Sequence, residues 1–151
     1  MSEPEELPEG FKMTELGLLP EEWEVVKLRE VSERPEYGYT TSASTEPLGP
    51  KFLRITDIQN GGVDWRAVPY CECPAKEIEK HSLRSGDLLF ARIGATTGKT
   101  FLVTTCPHAV FASYLIRVRT KPSLLPEYLY QFTNTQEYWN QINATKGGRP
   151  A

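Results

Sequence analysis

Only two histidines, two methionines and three cysteines occur among the 151 residues, and each scarcity closes off a class of chemistry. Neither His81 nor His108 stands beside a serine or aspartate in a nucleophile motif, which leaves hydrolysis without its usual general base. An odd number of cysteines at irregular spacing is no framework of the kind that staples small secreted domains. Cys71, Cys73, Cys106 and His108 form a four-ligand zinc set only on paper, because structural zinc sites favour Cys-x2–4-Cys spacing and this chain offers Cys-x-Cys and Cys-x-His. Free thiols and no metal are the expectation. Long apolar runs are missing as well: Leu88-Leu-Phe-Ala91 is typical, far short of the ~20 residues of a membrane-spanning helix. The acidic, proline-containing N-terminus lacks the layout of a signal peptide, so a cytoplasmic chain with no membrane partner is expected. No Gly-rich cofactor loop and no Asn-Pro-Pro-aromatic motif of methyl transfer is present, so neither a cofactor nor a catalytic residue is assigned.

A strong excess of charge of either sign is also absent, the net value being -3. The average conceals a division. Residues 1–36 hold eleven carboxylates against Lys12, Lys27, Arg29 and Arg34, a net charge of -7, and the remainder is therefore +4. In that remainder lysines and arginines are interleaved with aromatics, a footprint compatible with nucleic acid but well short of strongly basic, and charge alone favours a solvated mixed-charge surface.

What is present reads as one domain. Residues 1–12 are polar and aperiodic, a flexible acidic lead-in, and order is expected near Trp23, where Trp-Glu-Val-Val-Lys-Leu28 alternates like a strand. Residues 37–45 form a loop rich in hydroxyls. Residues 52–58 read as a strand, Asn60-Gly61 as a turn, residues 68–73 as a short strand and residues 75–80 as a helical turn. The run Leu88-Leu-Phe-Ala-Arg-Ile93 is a further strand, and residues 101–104 and 109–119 supply two more. The period then changes: Leu125, Leu129 and Phe132 fall at helical spacing with Pro126 in a first turn. Asn134 and Glu137 resemble a capping box for a second helix bearing Tyr138, Trp139 and Ile142. Trp23, Leu53, Ile55, Leu89, Phe90, Ile116, Leu129 and Trp139 are assigned to the core. The ending in Lys146-Gly-Gly-Arg-Pro-Ala151 is expected to be flexible and to belong to a longer protein.

Residues 94–100 end in Gly98-Lys99-Thr100 behind a strand, which invites comparison with a phosphate-binding P-loop. That motif needs four residues between its glycines and a helix after them. Here three residues intervene and Phe101-Leu-Val103 reads as a strand. A small nucleotide-binding domain is therefore the weaker alternative, beside a hairpin presenting Thr96, Thr97 and Lys99 to a phosphate backbone.

Several linked segments resemble the target recognition domain of the specificity subunit of type I restriction-modification systems. These are Thr14-Glu-Leu-Gly-Leu-Leu-Pro-Glu-Glu-Trp-Glu-Val-Val-Lys-Leu28, Leu53-Arg-Ile-Thr-Asp-Ile-Gln-Asn-Gly61, Gly86-Asp-Leu-Leu-Phe-Ala-Arg-Ile-Gly-Ala-Thr-Thr-Gly-Lys-Thr100, and Ala112-Ser-Tyr-Leu-Ile-Arg117. The resemblance implies an α+β fold: a curved, partly barrel-like mixed β-sheet, helices packed beside it and C-terminal helices. It implies a recognition domain over residues 13–145, with residues 146–151 leading toward a spacer helix outside the sequence. The function it implies is non-catalytic reading of one half of a bipartite double-stranded DNA target. Its implied partners are methyltransferase and restriction subunits, and a second recognition domain or a homodimer partner. A protein-interaction module that has lost DNA binding stays open as an alternative, given the acidic segment at residues 1–36. On this reading Tyr37, Tyr39, Thr40, Thr41 and Ser42 supply hydroxyls and rings. Arg54 and Arg92 carry guanidinium forks suited to guanine or phosphate, or pair with Asp57 or Asp87 instead. Gln59 and Asn60 suit adenine. Lys51, Thr96, Thr97 and Lys99 complete the DNA-binding set.

Overall fold

Leu88, Leu89, Phe90 and Ala91 follow one another without polar alternation, the pattern of a strand covered on both faces. In the computed structural model, which describes residues 7–148, they form β9, Leu88–Ala91, an inner strand of a four-stranded antiparallel sheet. The others are β3 (Glu36–Tyr37), β10 (Thr100–Leu102) and β12 (Leu115–Val118), in the order β10-β9-β12-β3. The second sheet joins β4 (Ala43–Ser44), β5 (Lys51–Leu53), β8 (Tyr70–Cys71) and β11 (Ala109–Phe111) in the order β11-β5-β8-β4. Its β5–β11 pair is parallel, Lys51 opposite Ala109 and Leu53 opposite Phe111. The strands do not close into a barrel, and the architecture is mixed α+β.

Strand alternation sorts the side chains into layers. Leu89, Ala91, Phe101 and Leu115 share the main core with Leu53, Ala109 and Phe111 of the other sheet, and Ile55, Ile58, Val63 and Trp65 pack against it. On the opposite face Leu88 and Val118 meet Leu129, with Phe90, Leu102, Leu124 and Tyr130 around them. Leu129 belongs to α3, Pro126–Phe132, which starts on Pro126 as its spacing predicts. The following α4, Gln136–Gly148, places Tyr138 6.4 Å from Phe90, ring to ring. Its cap is Thr135, whose Oγ1 accepts from the Tyr138 amide at 3.3 Å, not Asn134, whose Nδ2 donates to Tyr130 O. The helix continues through Gly148, across the start of the expected flexible end, and residues 149–151 lie outside the described residues, as do residues 1–6. No helix among the described residues is long and apolar enough to cross a membrane.

The N-terminal third departs from expectation. A hairpin, β1 (Phe11–Thr14) with β2 (Gly17–Pro20), precedes the point where order was expected. Trp23-Glu-Val-Val-Lys27 is not a strand: it finds no partner, and it leads into the single turn α1, Leu28–Val31. Trp23 is consequently 50% exposed and not a core residue. Ile116 and Trp139, also assigned to the core, are half-buried. Two expected strands are broken. Residues 52–58 divide into β5, a 3-10 turn at Ile55–Asp57 and β6, Ile58–Gln59, while residues 109–119 divide into β11 and β12, one in each sheet. Asn60 and Gly61 both have positive φ, 52° and 76°, the requirement of a two-residue hairpin, and join β6 to β7, Gly62–Val63.

Asp87, only 1% exposed, takes its ion pair from Arg119, Nε at 2.7 Å and Nη2 at 3.2 Å, and caps the Arg84 amide at 2.9 Å. Arg119 and Arg117 both donate to Ser82 O, joining β12 to the end of α2, Ala75–His81. Burial, then the neighbouring Arg119 charge, lowers the Arg117 pKa.

Candidate nucleic-acid interface

Strand register determines which connecting segments emerge together. Ala112 donates to Leu53 O at 2.9 Å, Tyr39 bridges to Ala112, and Arg92 donates from its amide to Tyr114 O at 3.1 Å. Thus Tyr39, Arg54, Arg92 and residues 112–114 follow their strands at one end of the paired sheets. Gly38 makes the convergence possible: a Cβ there would overlap the Ala112 carbonyl and lie 2.7 Å from Phe111 O. The segment it opens runs from the edge of the first sheet at β3 to the edge of the second at β4.

Arg92 is the best-defined group at this end. Its Nε donates to Ser113 O at 2.8 Å, and its Cζ lies 5.1 Å from the centre of the Tyr37 ring. The exposed guanidinium is thereby oriented at one edge and one face. Its two terminal nitrogens have no ion pair among the described residues, and the suggested pairing with Asp87 is absent because Arg119 occupies that carboxylate. Tyr37 is 60% exposed and Tyr114 54%. Tyr114 escaped the sequence reading, although its place in Ala112-Ser-Tyr-Leu-Ile-Arg117, before a strand, was the available signal.

Residues 94–100 form the β9–β10 connection. Thr96 and Thr97 donate their hydroxyls to Ile93 O and Gly94 O, each at 2.8 Å, so these oxygens are left with acceptor capacity alone toward a ligand. Lys99 is exposed and without an ion pair among the described residues. Tyr138 of α4 holds the loop from below, Oη to Gly98 O at 2.6 Å, and burial pushes that phenol up to about 12. Gly98 has φ +95°, and a Cβ there would lie 2.9 Å from Ile142. Strand β10 follows at once, so the loop has no helix N-terminus of the kind a P-loop directs at phosphate.

Other residues of the sequence-derived set are engaged elsewhere. Arg54 forms a fork with Asp57, Nε to Oδ2 at 3.1 Å and Nη2 to Oδ1 at 3.0 Å, and this bonding raises its pKa. Lys51, at the opposite end of β5, donates to Val68 O at 2.9 Å and lies 4.2 Å over the Tyr70 ring. Gln59 donates to Thr56 O, and Asn60 turns the hairpin beside α3. Tyr39 and Thr41 line an open cleft with Glu72, Cys73 and Pro74, whereas Thr40 and Ser42 are exposed. The Tyr39 ring rests 5.7 Å from that of buried His81, which packs edge-on against Phe111. Burial chiefly, and the Cys73 thiol next, raise the Tyr39 pKa.

The zinc set does not assemble. Cys71 is buried with Phe52 and Val110, and burial pushes its thiol up to about 11. Cys106 packs against the main core with its Sγ toward Leu83 O at 3.7 Å. All three cysteines are free, and no group of three or more metal-ligating side chains is gathered among the described residues.

Sequence comparison finds type I restriction enzyme specificity subunits among the relatives of this chain. The chain is 31% identical over 110 residues to the type I restriction enzyme EcoKI specificity subunit of Escherichia coli K12, covering 70% of this chain and 24% of that protein. It is 34% identical over 88 residues to the putative type I restriction enzyme MjaX specificity subunit of Methanocaldococcus jannaschii, covering 58% and 21%. The chain thus spans about a quarter of the length of these curated relatives or less. No protein-family model matches it. Among solved structures, the HsdS subunit from Thermoanaerobacter tengcongensis superposes with a TM-score of 0.64 at 22% identity, over 90% of this chain and 32% of that one. An HsdS-like fold is therefore shared.

Proposed function

We propose that this relative of the type I restriction enzyme specificity subunits is a non-catalytic module that reads double-stranded DNA in sequence. In this reading it recognises one half of a bipartite target, and methyltransferase and restriction subunits are directed there through the assembly it joins. A second recognition domain or a second copy supplies the other half. The recognition unit is assigned to residues 13–145.

The observation that carries the reading is the Tyr37–Arg92 pair. With Nε committed to Ser113 O, the free edge of the guanidinium is its terminal fork, which matches guanine O6 and N7 end-on or two phosphate oxygens. Stacking on Tyr37 holds the fork before contact, which reduces the ordering cost of binding. Tyr114, Thr40 and Ser42 are the exposed neighbours assigned to sugar and base edges. Lys99 is assigned to the phosphate backbone, where a point charge contributes affinity and salt dependence without sequence information. Arg54, Gln59, Thr96, Thr97, Tyr39 and Thr41 hold the loops in shape through their own hydrogen bonds and packing, Lys51 fixes the far end of β5, and Asn60 is presented at a hairpin tip.

Selection from a randomised duplex pool at two salt concentrations, followed by sequencing, tests this. The chain should retain DNA in a salt-dependent manner and enrich a short motif. Arg92→Ala should erase preference at one position of that motif, a loss of about 1–3 kcal/mol of discrimination. Lys99→Ala should weaken all sequences alike and flatten the salt slope by about 1. Absence of salt-dependent retention, or unchanged binding and motif in both variants, refutes the assignment.

A further inference from the structure

Opposite in character to the cationic loops is a groove beside α3. Trp23, Val26, Leu28 and Tyr128 are roughly half exposed and line, with Leu129 and Phe132, a groove of about 400 Å3. The charged residues lining it are Glu24 and Glu137, and no cation does so. The acidity extends outward. Residues 15–31 carry five glutamates against Lys27 and Arg29, while residues 122–145 carry Glu127 and Glu137 with no lysine or arginine.

Large apolar side chains left half exposed along one groove, lined by charge of one sign, suit a protein partner, and the sign disfavours DNA as the occupant. The shape discriminates further. Residues 24–26 belong to no strand or helix and make no backbone hydrogen bonds among the described residues, but three such residues before α1 offer an incoming strand too few partners. A helix instead lays side chains at i, i+3, i+4 and i+7 into such a groove and keeps its own backbone satisfied.

We propose that this groove docks an amphipathic helix of a partner protein. The helix places apolar side chains against Trp23, Val26 and Tyr128, and lysines or arginines beside Glu24 and Glu137. The inference stands apart from the DNA-reading assignment, since it uses none of the same residues.

The probe is a synthetic helical peptide of leucine and lysine, compared with a leucine-glutamate peptide of identical apolar face. Each is titrated into the full chain while peptide anisotropy and tryptophan emission are followed. The lysine peptide should bind saturably, with a blue shift that disappears in Trp23→Phe. Affinity should fall at least tenfold in Val26→Asp and in Tyr128→Asp. The paired change Glu24→Lys with Glu137→Lys should transfer preference to the glutamate peptide, and it serves as the test should either aspartate variant lose its circular dichroism. Equal binding of both peptides, no binding of either, or indifference to these substitutions overturns the proposal. So does a concentration-dependent dimer in sedimentation that Val26→Asp abolishes, because the occupant is then a second copy. Duplex binding by the same variants, measured in parallel, separates this outcome from the fate of the DNA assignment.

Discussion

Replacing Gly38 by alanine tests whether the junction of the two sheets is as close as described. The added Cβ overlaps the Ala112 carbonyl, and because the obstacle is backbone, no rotamer change relieves it. The segments have to separate, and two hydrogen bonds cross the contact: Gly38 N to Leu115 O at 3.2 Å and Tyr39 N to Phe111 O at 2.8 Å. Losing both at about 1 kcal/mol each, with a further ~1–2 kcal/mol for an amide left without a partner, amounts to about 3–4 kcal/mol. Gly94→Ala is the matched control. A Cβ at Gly94 meets nothing within 4 Å and suffers only its φ of +64°, about 1–2 kcal/mol. Urea unfolding followed by tryptophan fluorescence measures both. With a slope of about 1.5 kcal/mol per molar, the Gly38→Ala midpoint should fall by about 2 M and that of Gly94→Ala by about 1 M. A Gly38→Ala midpoint equal to the parent's, with unchanged slope, would refute the close approach.

Two further outcomes are expected. Asp87→Ala strands Arg119 and frees the Arg84 amide, and the loss of one partner from a buried pair costs about 3–5 kcal/mol, readable as a lowered thermal midpoint with Arg92 function unaffected in whatever folds. Tyr138 has its pKa raised by burial to about 12, against about 10 in the unfolded chain. Its contribution to stability is therefore complete below pH 10 and is lost as pH rises through 12. In an alkaline series Tyr138→Phe should be less stable at neutral pH, for want of the bond to Gly98 O, yet show a shallower decline over that window, and an identical decline would refute the assignment.

Local signals carried well from sequence to structure. Asn60-Gly61 forms its hairpin because both residues tolerate positive φ, and Pro126 opens α3 because its missing amide costs nothing there. Leu88–Ala91 is a strand buried on both faces, as an unbroken apolar run requires. The failures share a different cause. Trp23-Glu-Val-Val-Lys-Leu28 has a strand's alternation, but pairing needs a neighbour that no local pattern supplies. Arg92 was offered Asp87 on proximity in sequence, whereas Arg119, thirty-two residues away, holds that carboxylate. Arg54 with Asp57, three residues apart, was legible for the same reason that the other was not. At the interface the residue types were readable, but which of them face one another depended on strand register. Tyr37 and Arg92 meet only because β3 and β9 both flank β12.

That arrangement of β12 also constrains the order in which the molecule can be made. Strands β3 and β9 do not touch; both pair with β12, which is synthesised after them, and β5, already able to pair with β8, gains its second neighbour only with β11. A chain emerging from the ribosome can therefore pair β9 with β10 and β5 with β8 early, but one edge of each stays unpaired until β12 and β11 have been added. Folding rate follows from such distant pairings, whose loop-closure entropy precedes any gain in contacts. Completion of both sheets comes late, and the interval before it, with inner strands still open at one edge, is the period of greatest exposure to aggregation.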